Sequence, residues 1–296
     1  MTAIPAFSVA DLGHVAIAHA LLPATQPGGL PVVFVHGLSM QGPEWPAAFL
    51  DELGADHPIL LLDNRDAGLS SPFGPVVLGE PDAPPPQAYD LFDMARDVMA
   101  LLDRLGLDRV HLVGYSMGGR ITQIIAATEP ARVASLTCLS STGGRRQVEA
   151  KADVRDALGA ARAERLLHAP DIELFVAQSR LLDGTALQAS DDEHRRRITQ
   201  AVTRSYRPLG TGRQMAAIES TMDRRELLGR ITCPTLFIHG TADPVVALDR
   251  AREGVERIPN ARLHVIEGLG HLITEAATPL FLAPLAAHIR TAEATG

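Results

Sequence analysis

Lysine is almost missing from this chain: Lys151 stands alone beside 26 arginines in 296 residues. No basic residue precedes Arg65, so the positively charged start that opens a secretory signal is lacking. Cysteine is scarce as well. Cys138 and Cys233 are too few for a disulfide framework, and both sit in apolar runs where they read as buried small hydrophobes. The reducing cytoplasm is the expected compartment. No stretch approaches the ~20 uninterrupted apolar residues of a membrane helix, so no membrane partner is expected. A net charge of −8 argues against nucleic acid, which needs a basic face. Aromatic residues are only 4 %, so a pocket here would be walled mainly by Leu, Met, Ile and Val.

What is present is an ordinary folded composition, 46 % apolar and 21 % charged, in a length that suits one large domain or two smaller ones. Short β-branched runs at 31–36, 58–63, 109–113, 133–139, 234–238 and 262–266 read as buried strands. Between them lie amphipathic helical patterns at 90–105, 117–129 and 245–257, with a helical end to the chain. Asp90 is placed to cap the first helix and Gly106 to end it. Alternation of this kind predicts an α/β fold, a mostly parallel sheet covered by helices on both faces.

Residues 144–228 break the rhythm with helical patterns and no strand. Residues 144–213 also carry a charge balance of +3 against −11 for the rest. The expected organisation is a core of 1–143 and 229–296 interrupted by a helical cap, 144–228. Within the cap, Asp191, Asp192 and Glu193 each precede an arginine, Arg195, Arg196 and Arg197, by four residues. That spacing predicts a self-paired, solvated helix face. Pro81–Pro86 reads as a stiff surface loop.

The chemistry is carried by Gly114-Tyr115-Ser116-Met117-Gly118-Gly119, a G-x-S-x-G pattern between a strand and a helix. A turn that sharp holds a serine hydroxyl out at the carboxyl edge of a sheet, with the next backbone N–H beside it. An acid and a histidine should follow in that order. Asp243, in Gly240-Thr-Ala-Asp-Pro244, and His271, after Gly270, both come just past strand ends, where open α/β sheets bind ligands. Among 11 histidines only His271 lies after the acid on such a loop. His36-Gly37-Leu38 ends another strand. There Gly37 lets the chain turn so that the Leu38 N–H joins that of Met117 as a pair of oxyanion donors. His36 itself reads as a structural residue holding that loop. The loop Asp63–Ser70 reads as a hydrogen-bonded buttress, with a second-acid role for Asp63 or Asp66 the lesser alternative.

Taken together, these motifs resemble the α/β-hydrolase fold over almost the whole chain. The Asp-x-Arg-Asp-x-Gly loop and the Met-Gly-Gly then Ile-Thr-Gln-Ile-Ile run after the serine are similar to the aclacinomycin methylesterase branch and its bacterial esterase relatives. The resemblance implies a carboxylic-ester hydrolase with Ser116 as nucleophile, His271 as base, Asp243 as acid, and Leu38 and Met117 as oxyanion donors. It implies no metal and no organic cofactor, and a small-molecule ester as the partner of a monomer or homodimer. Met40, Tyr115, Tyr206 and Met215 are candidate substrate contacts, with Trp45, Phe175 and Met222 as further walls. Arg145, Arg146 and Arg207 are candidate sites for an acidic substrate group. The same triad also serves lactone hydrolysis, C–C bond hydrolysis and cofactor-free perhydrolysis, and a slow-turnover ligand receptor is the non-enzymatic alternative.

Overall fold

The computed structural model describes residues 4–26, 28–73, 88–144 and 169–295. Eight strands form one sheet: β1 (Ser8–Asp11), β2 (Ala16–Leu22), β3 (Val32–Val35), β4 (Ile59–Leu62), β5 (Val110–Tyr115), β6 (Val133–Leu139), β7 (Thr235–Gly240) and β8 (Ala261–Ile266), in the order β1-β2-β4-β3-β5-β6-β7-β8. All neighbours from β4 to β8 run parallel, and β1 and β2 are added antiparallel at one edge. The antiparallel pair escapes sequence reading because Ala16–Leu22, Ala-Ile-Ala-His-Ala-Leu-Leu, alternates too weakly to announce a strand. Its tight turn is set by Asp11, whose side chain accepts from the Gly13 N–H at 2.8 Å.

Strand periodicity builds two apolar layers. Val33, Val35, Leu60 and Leu62 point to the layer under α2 (Leu91–Leu105) and α3 (Met117–Thr128). Their neighbours Val32, Phe34, Ile59 and Leu61 point to the opposite layer, which meets α1 (Ala47–Leu53) and the C-terminal helix. All eight side chains are essentially buried, so these strands read as continuous hydrophobic runs. Asp90 caps α2 as expected, accepting from the Phe92 and Asp93 N–H groups at 2.8 and 2.9 Å, and Gly106 ends it at φ 67°.

Between β6 and β7 the described residues hold α4 (Ile172–Arg180), α5 (Asp191–Arg204), α6 (Pro208–Ser220) and the short α7 (Arg225–Leu228), and no strand. α7 packs back on the central layer through Leu228. After β7 come α8 (Leu248–Arg257) and α9 (Thr278–Thr295). α8 starts three residues later than its apolar pattern suggests. The Val245 and Val246 N–H groups bond the Asp243 side chain at 2.9 Å each, and the chain stays extended at Ala247, φ −60° and ψ 140°, before the helix begins.

The expected i,i+4 pairing on α5 does not form. Arg195 bonds Glu173 on α4 and Asp192 three residues back, Asp191 pairs with Arg180, and Arg196 with Glu275. Tertiary partners and the i,i+3 neighbour outcompete the i+4 ones. Arg197 instead turns into the central cavity. Pro81–Pro86, Arg145 and Arg146 lie outside the described residues. Among those residues, no helix is long and apolar enough to cross a membrane.

Candidate active site

Ser116 sits where β5 gives way to α3, at φ 52° and ψ −112°. The chain is packed closely around this turn. A Cβ on Gly118 would lie 2.0 Å from the Val35 carbonyl oxygen, so only glycine lets α3 approach β3. The Ser116 N–H bonds the Leu139 carbonyl at 2.9 Å, and the Ser116 carbonyl accepts from the Ser141 hydroxyl at 2.8 Å.

Two loops from distant sequence meet the serine. His271 Nε2 lies 3.1 Å from Ser116 Oγ, and its Nδ1 lies 2.8 Å from Asp243 Oδ2. The other Asp243 oxygen accepts from the N–H groups of Val245 and Val246. Burial pushes the Asp243 carboxyl up, but the His271 and His239 rings and these hydrogen bonds outweigh it and hold it below the usual range. The imidazole is therefore backed by an anion. The His271 backbone is fixed on both sides: its N–H bonds the Leu182 carbonyl at 2.8 Å, and its carbonyl accepts from the Tyr115 hydroxyl at 2.8 Å.

Among the described residues neither the Leu38 nor the Met117 N–H makes a hydrogen bond. The Leu38 loop does not turn on Gly37, as the sequence suggests, but on Ser39, at φ 61°. Gly37 is needed for closeness instead, since a Cβ there would meet the Tyr115 ring at 3.2 Å. Gln214 of α6 holds this loop. Its Oε1 accepts from the Ser39 N–H at 2.8 Å and its Nε2 donates to the Arg65 carbonyl at 2.7 Å. Sequence reading misses Gln214, because a lone glutamine on a helix gives no local sign of two loops 149 and 175 residues away.

His36 does not hold the loop by hydrogen bonds. Both its ring nitrogens are buried without a partner, and it stacks on Trp45 at 4.3 Å; burial keeps its pKa well below that of a free histidine. The loop is secured by Asn64, which donates to the His36 carbonyl at 3.1 Å. The buttress reading fits the Asp63–Ser70 loop. Asp63 accepts from the Gly42 and Leu69 N–H groups and forms an ion pair with Arg204, while Asp66 accepts from Arg213, Tyr89 and the Phe73 N–H.

A cavity of about 1100 Å³ opens above Ser116 and His271. Met40, Tyr115, Phe175, Tyr206, Arg207 and Met215 all reach its wall. Two expected wall residues are elsewhere: Trp45 is buried beneath in the aromatic stack, and Met222 is 67 % exposed on the outer surface. Cys138 and Cys233 are buried, and burial pushes their thiols up to about 12 and about 11, so neither is a nucleophile at neutral pH.

Residues 31–276 match the family described as the α/β hydrolase fold. The chain is 29 % identical over 291 residues to a rhodomycin D methylesterase of Streptomyces sp. (strain C5), covering 90 % of this chain and 93 % of that one. It is 30 % identical over 259 residues to a putative carbamate hydrolase of Variovorax paradoxus, covering 84 % and 88 %. Among solved structures, a thermophilic esterase from Thermogutta terrifontis superposes with a TM-score of 0.75 at 23 % identity, over 97 % of this chain and 99 % of that one. At that identity the likeness carries the fold alone. With the sheet order, the elbow and the family match in agreement, this chain belongs to the α/β-hydrolase fold family.

Proposed function

We propose that this protein hydrolyses carboxylic esters through an acyl-enzyme on Ser116. The hydrogen-bonded line from Ser116 Oγ through His271 to Asp243 carries this reading. His271 takes the hydroxyl proton as Oγ attacks the ester carbonyl. Asp243, engaged at Nδ1, keeps Nε2 free to accept that proton and stabilises the imidazolium. The Leu38 and Met117 N–H groups receive the oxyanion. His271 then protonates the leaving alcohol, and water attacks the acyl-enzyme by the same route to release the acid.

The substrate we favour is a methyl ester of a larger metabolite. A cavity of about 1100 Å³ is slightly larger than the ~300–1000 Å³ typical of small-molecule pockets, and a rhodomycin D methylesterase is among the relatives. We divide the chain into a core, 1–143 and 229–296, and a cap, 144–228; α4, α5 and α6 contribute much of the cavity wall.

The test is rapid-mixing release of p-nitrophenol from acetate, butyrate and octanoate esters. A burst stoichiometric with enzyme, absent in Ser116→Ala, is the expected result. Asp243→Asn should cut kcat by about 10⁴, through the wrong imidazole tautomer. Equal activity in wild type and Ser116→Ala would remove Ser116 as nucleophile. One turnover followed by a stop would favour a receptor.

A further inference from the structure

A buried guanidinium needs a counter-charge, and two in this chain have none among the described residues. Arg120, in the first turn of α3 and four residues past Ser116, is 3 % exposed; Arg224, just ahead of α7, is 1 % exposed. Nη1 of Arg120 and all three side-chain nitrogens of Arg224 are buried with no hydrogen-bond partner. The other buried arginines are matched to carboxylates: Arg65 to Asp97 and Arg213 to Asp66. Asp223 adjoins Arg224 and its charge acts on the guanidinium, but its carboxylate is held by Arg225 at 2.6 Å and makes no hydrogen bond to Arg224.

The two unmatched charges also act on each other. Burial, then the Arg120 charge, brings the Arg224 guanidinium down to about 9, and burial brings Arg120 down to about 10. Both remain cations at neutral pH. Like charges in a low-dielectric interior are costly, and a fold keeps them where something of opposite sign arrives. Their place shows from where it arrives. Arg120 lines the cavity that holds Ser116 and His271, as does Thr142, whose buried Oγ1 is also without a partner. Glu219 lines the same cavity and has a partner of its own. Arg197 adds a further positive charge to that cavity, with no ion pair among the described residues, and its field reaches Glu44, His36 and Tyr115.

We propose that the cavity wall at Arg120 is an anion subsite, and that the ester cleaved at Ser116 carries a free carboxylate that Arg120 binds, while Arg224, which does not line the cavity, adds only its field. The substrate class is then the monoester of a dicarboxylic acid. This rests on the ester-hydrolysis reading above. It adds that the ligand supplies the missing negative charge, so binding should stabilise the fold as well as orient the ester.

The experiment compares kcat/KM for mono-p-nitrophenyl glutarate with that for the neutral p-nitrophenyl pentanoate. Wild type should prefer the charged ester by about 30-fold or more, the loss typical when one partner of a buried charge pair is removed. Arg120→Leu should bring that ratio close to one, and Arg120→Lys should retain part of it. Independently of turnover, glutarate should raise the Tm of wild type and of Ser116→Ala, and leave that of Arg120→Leu unmoved. No preference in wild type, or one that survives in Arg120→Leu, overturns the subsite even where the neutral ester gives its burst. A Tm rise with inorganic phosphate and none with glutarate overturns the carboxylate assignment. An Arg120-dependent rise with glutarate, without a burst from any ester, keeps the subsite and removes the hydrolysis reading. If Arg120→Leu does not fold, the wild-type ratio and Arg120→Lys decide.

Discussion

Single side chains set the geometry of the proposed active site, and several act at second hand. Gln214 touches no reacting atom, yet it is the tie between the Ser39 N–H and the Arg65 carbonyl. Gln214→Leu leaves both groups without their partner, at a cost of about 1–3 kcal/mol in stability. The Leu38 N–H then loses its aim, so kcat should fall about tenfold or more while KM changes less, a split that steady-state kinetics would resolve. A larger effect on KM than on kcat would instead make Gln214 a substrate contact. Gly118 is a stricter case. Alanine there would push a methyl against the Val35 carbonyl at 2.0 Å, so Gly118→Ala should lose soluble, cooperatively folding protein, as read by its yield and melting curve.

The helices between β6 and β7 fasten the site to the sheet through a few buried ionic contacts. α6 supplies Arg213, whose Nε and Nη2 reach the two Asp66 oxygens at 2.8 and 2.6 Å. Asp66 itself holds φ 67°, a strained conformation for a non-glycine residue, and also accepts from the Tyr89 hydroxyl. Arg213→Met would leave that buried carboxylate with no cation against it, which typically costs 3–5 kcal/mol, about as much as a large cavity mutation. Urea denaturation should show the loss, and replacing Asp66 with Asn in the same background should recover part of it. The α2 cap is a milder contact: Asp90→Ala should cost about 1 kcal/mol, measurable by the same method.

For the whole molecule the main lever is pH. His111 and His288 are buried, and burial brings each down to about 4, while the unfolded chain titrates near 6.5. The unfolded state therefore takes up protons first as pH falls. Stability is complete above about pH 6.5 and is lost progressively down to about pH 4, on the order of 3 kcal/mol for each histidine. Chemical denaturation at pH 7.5 and pH 4.5 should show this, and His288→Gln should flatten the slope. What the sequence alone determined were the features written in local patterns: the parallel strands, the capped α2, the elbow at Ser116 and the order of acid and histidine after it. These depend on neighbours within a few residues, through periodicity, glycine and backbone turns. Tertiary structure alone decided the rest. It added the antiparallel β1–β2 edge, began α8 three residues later than its apolar pattern, and assigned Arg195 and Arg196 to the surface but Arg197 to the cavity. It also left Arg120 and Arg224 without an ion-pair partner among the described residues. In each case the outcome turns on which distant group is near enough to bond or repel, and spacing along the chain does not encode that distance.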